Sequence, residues 1–329
     1  MILTVGNSGV YEVEAFAEVK RILEERGQSV VLFKQDKCLE SDGIFYEFSE
    51  KRGGGLFLII DGVQYSTDEF SSVWYLHPHI PKSLMNFEPA EYRQFIHRQF
   101  EELRKSLWIL LREKNWINDP WAVVSADNKV FQIQTASSVG FKIPNTLITS
   151  DPEMVRRFYL ENEKDVVTKI FATSPMLNKV VYTNKVSELY MEKIDAVKQS
   201  PCIFQRLVEK SYELRVTVVG NEIFPAKIYS QDDQSTAIDW RKKPKLNDFE
   251  VKIEATELPE ELKNKILVFM KKMNLRFGCL DFIVTPLNEY VFLEVNPSGQ
   301  WYFVQTKTHF QIANAIADLL SEENNKARK

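Results

Sequence analysis

A mixed α/β (α+β) fold in several lobes is what the sequence predicts, on three observations. Strand-like and helix-like segments alternate through the first hundred or so residues. The middle holds short apolar runs split by turn residues, and two more such runs flank a turn near the end, between two helical patterns. With 329 residues, 44% of them hydrophobic, the chain is long for one core, so two or three lobes are expected.

Each element has a local reason. ILTVG reads as a strand, and VEAFAEVKRILEERG as an amphipathic helix closed by Gly27. SVVLFK, GGGLFLIIDG and SSVWYLHP follow as β-rich runs, and EYRQFIHRQFEELRKSLWILLREK as a long helix ending near Trp116. This order favours an open α/β sheet with helices packed against it. A helix-like NKVFQIQTASSVG and a strand, IPNTLIT, come next, and Ser150-Asp151-Pro152 starts another helix. VVTKIFA, KVVYTN, CIFQRLV, LRVTVVG and EIFPAKIYS are short strands, with Val219 to Glu222 a hairpin turn. The helix LPEELKNKILVFMKKMNL precedes GCLDFIVTP and EYVFLEVNP, and HFQIANAIADLL precedes a polar, frayed tail.

Composition excludes several classes. A net charge of −4 argues against a protein that binds nucleic acid by charge alone. The longest apolar runs, such as LFLIIDGV, fall far short of the roughly 20 residues of a membrane span. MILTVGNSG lacks the basic start of a signal peptide. Cys38, Cys202 and Cys279 are an odd set without metal-like spacing, which fits reduced core thiols in a cytoplasmic protein.

The chemistry concentrates between Cys279 and Gly299. Asp281 lies within one strand, with Glu294 and Asn296 near the end of the next, two residues apart and so on one face. Two carboxylates and an amide are hard ligands, suited to Mg²⁺ that also holds phosphates. The competing reading is a carboxylate pair facing water, the usual place for Asp and Glu; the spacing and the Asn-Pro ending favour metal. Lys169, Arg215 and Lys227 are cations within apolar strands, where phosphate is a natural counter-charge and a neighbouring Glu or snorkelling is the alternative. Lys129 follows Asp127-Asn128 at a helix start, where a phosphate meets an ammonium and free N–H groups. In IFQRLVEKSYE, Gln205 to Val208 offer backbone groups to an adenine edge, and Glu209 or Glu213 accept from a ribose; alone, this is an ordinary strand and loop. His77 and His79 share a strand face without a third ligand, so zinc is not expected. Gly53-Gly54-Gly55 reads as a hairpin turn, since no Gly-Lys-Ser/Thr follows.

The order Lys129, Lys169, IFQRLVEK, Arg215, Asp281 and Glu294-x-Asn296 resembles the ATP-grasp superfamily. VWYLHP, FQRLVEKSYELRVTVVG, AIDWRK, FGCLDFIVTP and NPSGQWYF further resemble its microviridin-type branch, which matures graspetides (ω-ester-containing ribosomal peptides), and the likeness spans nearly the whole chain. The resemblance implies an ATP-grasp fold: an N-terminal open α/β domain at 1–118, a small central domain at 119–203, a C-terminal ATP-grasp domain at 204–320, and a tail at 321–329. It implies that Lys129 and Lys169 contact ATP phosphates, and that Gln205, Arg206, Leu207 and Val208 line adenine with Glu213 at the ribose. Asp281, Glu294 and Asn296 would hold two Mg²⁺ ions, with Mn²⁺ an alternative. Arg215 would steady the transferred phosphate and the incoming carboxylate, and Arg241 would grip the acidic side chain of the substrate. One departure is that the stretch matching the phosphate lid, FATSPMLNKVV, has no glycine; Thr173 and Ser174 are its remaining donors.

The implied reaction phosphorylates an Asp or Glu side chain of a small precursor peptide with a leader and an acidic, Thr/Ser-rich core. A Ser or Thr hydroxyl, or a Lys amine, then closes a ring. The alternatives are a glutathione-synthetase-like or glutamate-adding ligase joining separate molecules, and a degenerate peptide-binding module without chemistry. Neither a nucleic acid nor a membrane is an expected partner, and a homodimer is an open possibility.

Overall fold

The computed structural model describes residues 1–51, 53–171, 182–242 and 251–322. Their elements run β1 (Ile2–Gly6), α1 (Val10–Glu25), β2 (Val30–Lys34), β3 (Gly43–Ser49), β4 (Gly53–Ile60), β5 (Val63–Ser66) and β6 (Ser72–Tyr75). Then come α2 (Lys82–Met85), α3 (Arg93–Leu110), β7 (Asn115–Ile117), α4 (Pro120–Ala126), α5 (Lys129–Ser138), β8 (Thr146–Thr149) and α6 (Pro152–Glu161). The rest are β9 (Val166–Ile170), β10 (Asn184–Lys185), α7 (Glu188–Glu192), β11 (Cys202–Arg206), β12 (Tyr212–Val219), β13 (Glu222–Ile228), β14 (Ile253–Ala255), α8 (Glu260–Lys272), β15 (Phe277–Val284), β16 (Tyr290–Asn296), α9 (Tyr302–Thr308) and α10 (Ile312–Ser321).

The first sheet is open and parallel, in the order β2-β1-β6-β7. GGGLFLIIDG, expected among its strands, lies instead in a separate antiparallel meander, β3-β4-β5. The reason is its period. Leu56, Leu58 and Ile60 are buried, while the alternate Phe57 and Ile59 are only half-buried, with Phe57 stacked on Phe45. A strand covered on one face suits an antiparallel sheet, whereas a central parallel strand is covered on both.

The second sheet, β10-β9-β11-β8, is small and antiparallel. The third, β14-β13-β12-β15-β16, is larger and also antiparallel; β12 and β13 meet in a two-residue turn at Gly220, whose φ of +59° suits glycine. α8 packs on one face of it through Leu262, Ile266, Phe269 and Met270. α4 and α5, which the expected division groups with the central segment, bury Ala122, Ala126 and Ala136 in this same core. The last helix returns to the first lobe: α10 shares one core with α1, β1 and β2. Ala313 and Ala317 of α10 are buried in this shared core. Among the described residues, no helix is long and apolar enough to cross a membrane. Cys38 and Cys279 are buried, Cys202 is half-buried, and all three are free. Only Ser321 and Glu322 of the expected tail lie within the described residues.

Candidate active site

A cleft of about 350 Å³ lies between the small and large sheets. β9 and β11 supply one wall, with Val167, Lys169 and Gln205, and the segment after β11 adds Arg206 to Val208. β12, β15 and β16 supply the other, with Glu213, Arg215, Asp281, Glu294 and Asn296; Arg241 also lines it. Of the twelve residues to which the resemblance assigns ATP, metal or substrate, eleven line this cleft, and the twelfth, Lys129, bonds Glu294 at 2.6 Å.

Register explains the convergence. Arg215 on β12 lies opposite Asp281 on β15, and Asp281 opposite Glu294 on β16. Directly opposed residues share a face, and Asn296 follows two residues after Glu294 on that face. Lys227 is a correction to the expected trio of cations. It pairs with Leu214 rather than Arg215, so strand parity turns it to the opposite face. There its Nζ sits over the rings of Tyr212 and Tyr229, at 4.1 and 4.5 Å, in place of a phosphate.

The carrier strands are held rigidly. β16 is an edge strand, and Gln132 of α5 completes it: its Oε1 accepts from Val295 N at 3.0 Å and its Nε2 donates to Val295 O at 2.9 Å. This fixes the one residue between Glu294 and Asn296 and removes an open edge. Asn118 uses its amide on Phe277 and Arg276 N–H groups and on the Phe277 and Pro297 carbonyls, tying both strand ends together. Gly299 is needed by space, since a Cβ there would lie 2.6 Å from Cys279 Cβ and 3.0 Å from Arg215 NH2.

Arg215 is buried and grips Asp281 with NH1 at 2.8 and 2.9 Å, while NH2 donates to Gln300 O at 3.1 Å. Its Nε–H is buried without a partner among the described residues. An unmet donor of that kind is costly and suits an anionic ligand. Burial pushes the Glu294 carboxyl up, but Lys129 and Lys169 outweigh it and hold the pKa at about 2. Burial raises Asp281, with Arg215 opposing and Glu294 adding to the rise. Burial also lowers the Lys169 ammonium, against the pull of Glu294.

The oxygen set fits Mg²⁺ in one respect that matters. It comprises two carboxylates and one amide, and the described residues contain no cluster of three His, Cys, Asp or Glu. Mg²⁺ in phosphate sites takes one or two carboxylates and completes its shell with phosphate and water, so Asp281, Glu294 and Asn296 could hold it beside a nucleotide.

Two acid–base pairs were not anticipated. Lys210 donates to Glu213 at 2.5 Å and to Ile238 O at 3.2 Å, deep in the cleft. Burial raises Glu213, and Lys210 then Ser230 oppose the rise. Asp239 accepts from Arg241 Nε at 2.9 Å, Arg241 NH2 at 2.7 Å and Thr183 N at 3.0 Å. The sequence signal was adjacency: Lys210 stands three residues before Glu213, and Asp239 two before Arg241. Arg206 and Leu207 already donate their N–H groups to Asn145 O and Asp165 O, so an adenine edge would meet their carbonyls and Val208 instead. Asn128 caps α5, accepting from Phe131 N at 3.0 Å. Thr173 and Ser174 lie outside the described residues.

Burial raises the Asp239 carboxyl, but Arg241 and the backbone donors bring it to about 2. A folded pKa below the unfolded value of about 3.9 means stability fully present above that value and lost as pH falls toward 2. Asp239→Asn should therefore flatten the acid limb of a melting-temperature profile between about pH 4 and 2. An unchanged limb would show that the pair contributes nothing.

The fold and the cleft define a nucleotide-dependent ligase of the ATP-grasp class, and the comparisons agree. The model of the RimK-like ATP-grasp domain matches residues 126–320, and the chain belongs to that family. It is therefore an ATP-grasp ligase. Among solved structures it is similar to the macrocyclase MdnC of Microcystis aeruginosa, bound with its precursor peptide MdnA, at 27% identity and a TM-score of 0.84 over 98% of this chain and 100% of that one. It is also similar to a RiPP-associated ATP-grasp ligase of Chryseobacterium gregarium, in complex with ADP and a leader and core peptide. That likeness has 28% identity and a TM-score of 0.82 over 98% of each chain. Macrocyclase MdnB of Microcystis aeruginosa is 26% identical, with a TM-score of 0.80 over 97% of this chain and 98% of that one. A comparison with curated proteins finds no significant match by sequence.

Proposed function

We propose that this ligase phosphorylates Asp or Glu side chains of a ribosomal precursor peptide and closes them onto Ser, Thr or Lys side chains as intramolecular esters or amides. The carrying observation is the single cleft into which Lys129, Lys169, Arg215, Asp281, Glu294 and Asn296 converge. The peptides and ADP named for the similar ligases support the same reading.

Lys129 and Lys169 bind the ATP phosphates, and Gln205 to Val208 with Glu213 receive the nucleoside. Asp281, Glu294 and Asn296 hold two Mg²⁺ ions, which when bound neutralise phosphate charge. Arg215 offers its unmet Nε–H to the transferred phosphoryl group. Asp239 holds Arg241 in place so that its guanidinium can meet the substrate carboxylate in the cleft. Phosphoryl transfer asks mainly for this kind of positioning and charge compensation. Ring closure within one bound peptide then gains from the high effective concentration of the two side chains. Free thiols and the need for ATP fit a cytoplasmic setting.

The test incubates the enzyme with ATP, Mg²⁺ and a short peptide, synthetic or encoded near its gene, that carries a leader and Asp or Glu with Ser, Thr or Lys near its end. Loss of one water per ring, with ADP released, is the expected result. Gain of an amino acid would indicate an intermolecular amide ligase, and no ADP release would indicate a binding module.

A further inference from the structure

The first lobe touches the cleft at one point. Among the described residues of 1–118, His77 alone lines it. In the first sheet β1 lies between β2 and β6, so the chain leaves β1 on one side and returns on the other. The crevice at the carboxyl ends of β1 and β6 is a topological switch point, where open α/β sheets place their ligands. Asn7 follows β1 there, and His77 follows β6 two residues past Tyr75.

The His77 backbone is left-handed, with φ +48°, which is uncommon for a residue with a side chain and is often found where function demands a fixed geometry. Two buried amides are committed to holding this turn. Asn7 Nδ2 donates to His77 O at 2.6 Å, and Asn7 Oδ1 accepts from His79 N at 2.7 Å. Gln35 Nε2 donates to His79 O at 3.1 Å. The imidazole meets the His79 ring edge-on, with centroids 4.4 Å apart.

Resolving an acyl phosphate needs a group that accepts the proton of the nucleophile. The four carboxylates lining the cleft are each paired with a cation: Asp281 with Arg215, Glu294 with Lys129, Glu213 with Lys210, and Asp239 with Arg241. The remaining charged groups on its wall are Arg or Lys. Among the described residues His77 is the one imidazole on its wall, and thus the one side chain there that can take up a proton without first giving up an ion-pair partner.

We propose that His77 is a catalytic residue of the second half-reaction, accepting the proton of the hydroxyl or amine that attacks the acyl phosphate. The assignment rests on the function proposed above. The nucleophile forms a bond to the acyl carbon, and the bond from that carbon to the phosphate oxygen breaks with its electron pair leaving on phosphate. The nucleophile's proton passes to the free imidazole nitrogen and from there to the departing phosphate or to water.

The test separates the half-reactions with the same peptide, ATP and Mg²⁺. Hydroxylamine traps the acyl phosphate as a hydroxamate without help from a base, and water loss reports ring closure. Asn tolerates a left-handed backbone, so His77→Asn should fold normally. It is expected to form hydroxamate at the wild-type rate and to close rings roughly 10²–10⁴-fold more slowly. His77→Gly should behave alike and recover closure with added imidazole. Unchanged closure, a fall in hydroxamate that tracks the fall in closure, or no recovery with imidazole would each overturn the assignment. If the wild-type enzyme yields no hydroxamate, the acyl-phosphate reading itself fails, which is a distinguishable result.

Discussion

Glu294→Gln is expected to lower turnover by roughly 10³-fold, the scale of losing a preorganised electrostatic contact in a reacting site. Glu294 balances Lys129 directly, at 2.6 Å, and Lys169 through the field that holds its own pKa at about 2. It also stands opposite Asp281 in the register that would hold Mg²⁺. The amide keeps the shape and can still bond Lys129, so the melting temperature should move little. Nucleotide should still bind, because both lysines remain to meet its phosphates. ADP release and nucleotide affinity, measured side by side, check this. A Gln enzyme with near-normal turnover would remove Glu294 from the metal site.

The second large effect concerns stability. Arg215 and Asp281 form a buried pair whose side chains are 9% and 20% exposed. Arg215→Met should destabilise the protein by about 3 kcal/mol, because Asp281 then stays buried without its counter-charge. Replacing both partners, Arg215→Met with Asp281→Leu, should recover stability to within about 1 kcal/mol of the wild type, since two apolar groups carry no desolvation cost. Turnover should be lost in both. Arg215→Lys should also fail, for one ammonium cannot reach both Asp281 and Gln300 O as the two separate guanidinium nitrogens do. Denaturant midpoints of the four proteins decide the matter; a double variant no more stable than the single one would show that the pair is not the source of the loss.

These two effects differ in origin. Glu294 is half-exposed to the cleft, so its removal is felt by the ligand more than by the fold. Arg215 is enclosed by the strands and the Gly299 turn, so its removal is felt by both.

Much of this was already written along the chain. The hairpin turn at Gly220 lies within the Val219 to Glu222 signal, with φ of +59°. The Asn128 cap, the helix closed by Gly27 and the shared face of Glu294 and Asn296 also follow from local rules of period and capping. Tertiary structure decided what period alone leaves open. Whether a strand cation faces the cleft depends on register with its neighbour, which sends Arg215 inward and Lys227 to two tyrosine rings. Whether GGGLFLIIDG joins the open sheet depends on what covers its second face, and α10 finds its partner in α1, nearly the full chain length away. His77 comes to line the cleft through tertiary packing of the first lobe, which also meets the loop after β16 where Tyr11 accepts from Trp301 N at 2.6 Å. Local sequence sets which side chains a strand or helix can present; long-range packing sets which of them meet, because contact energies between distant segments exist only once the chain has closed on itself.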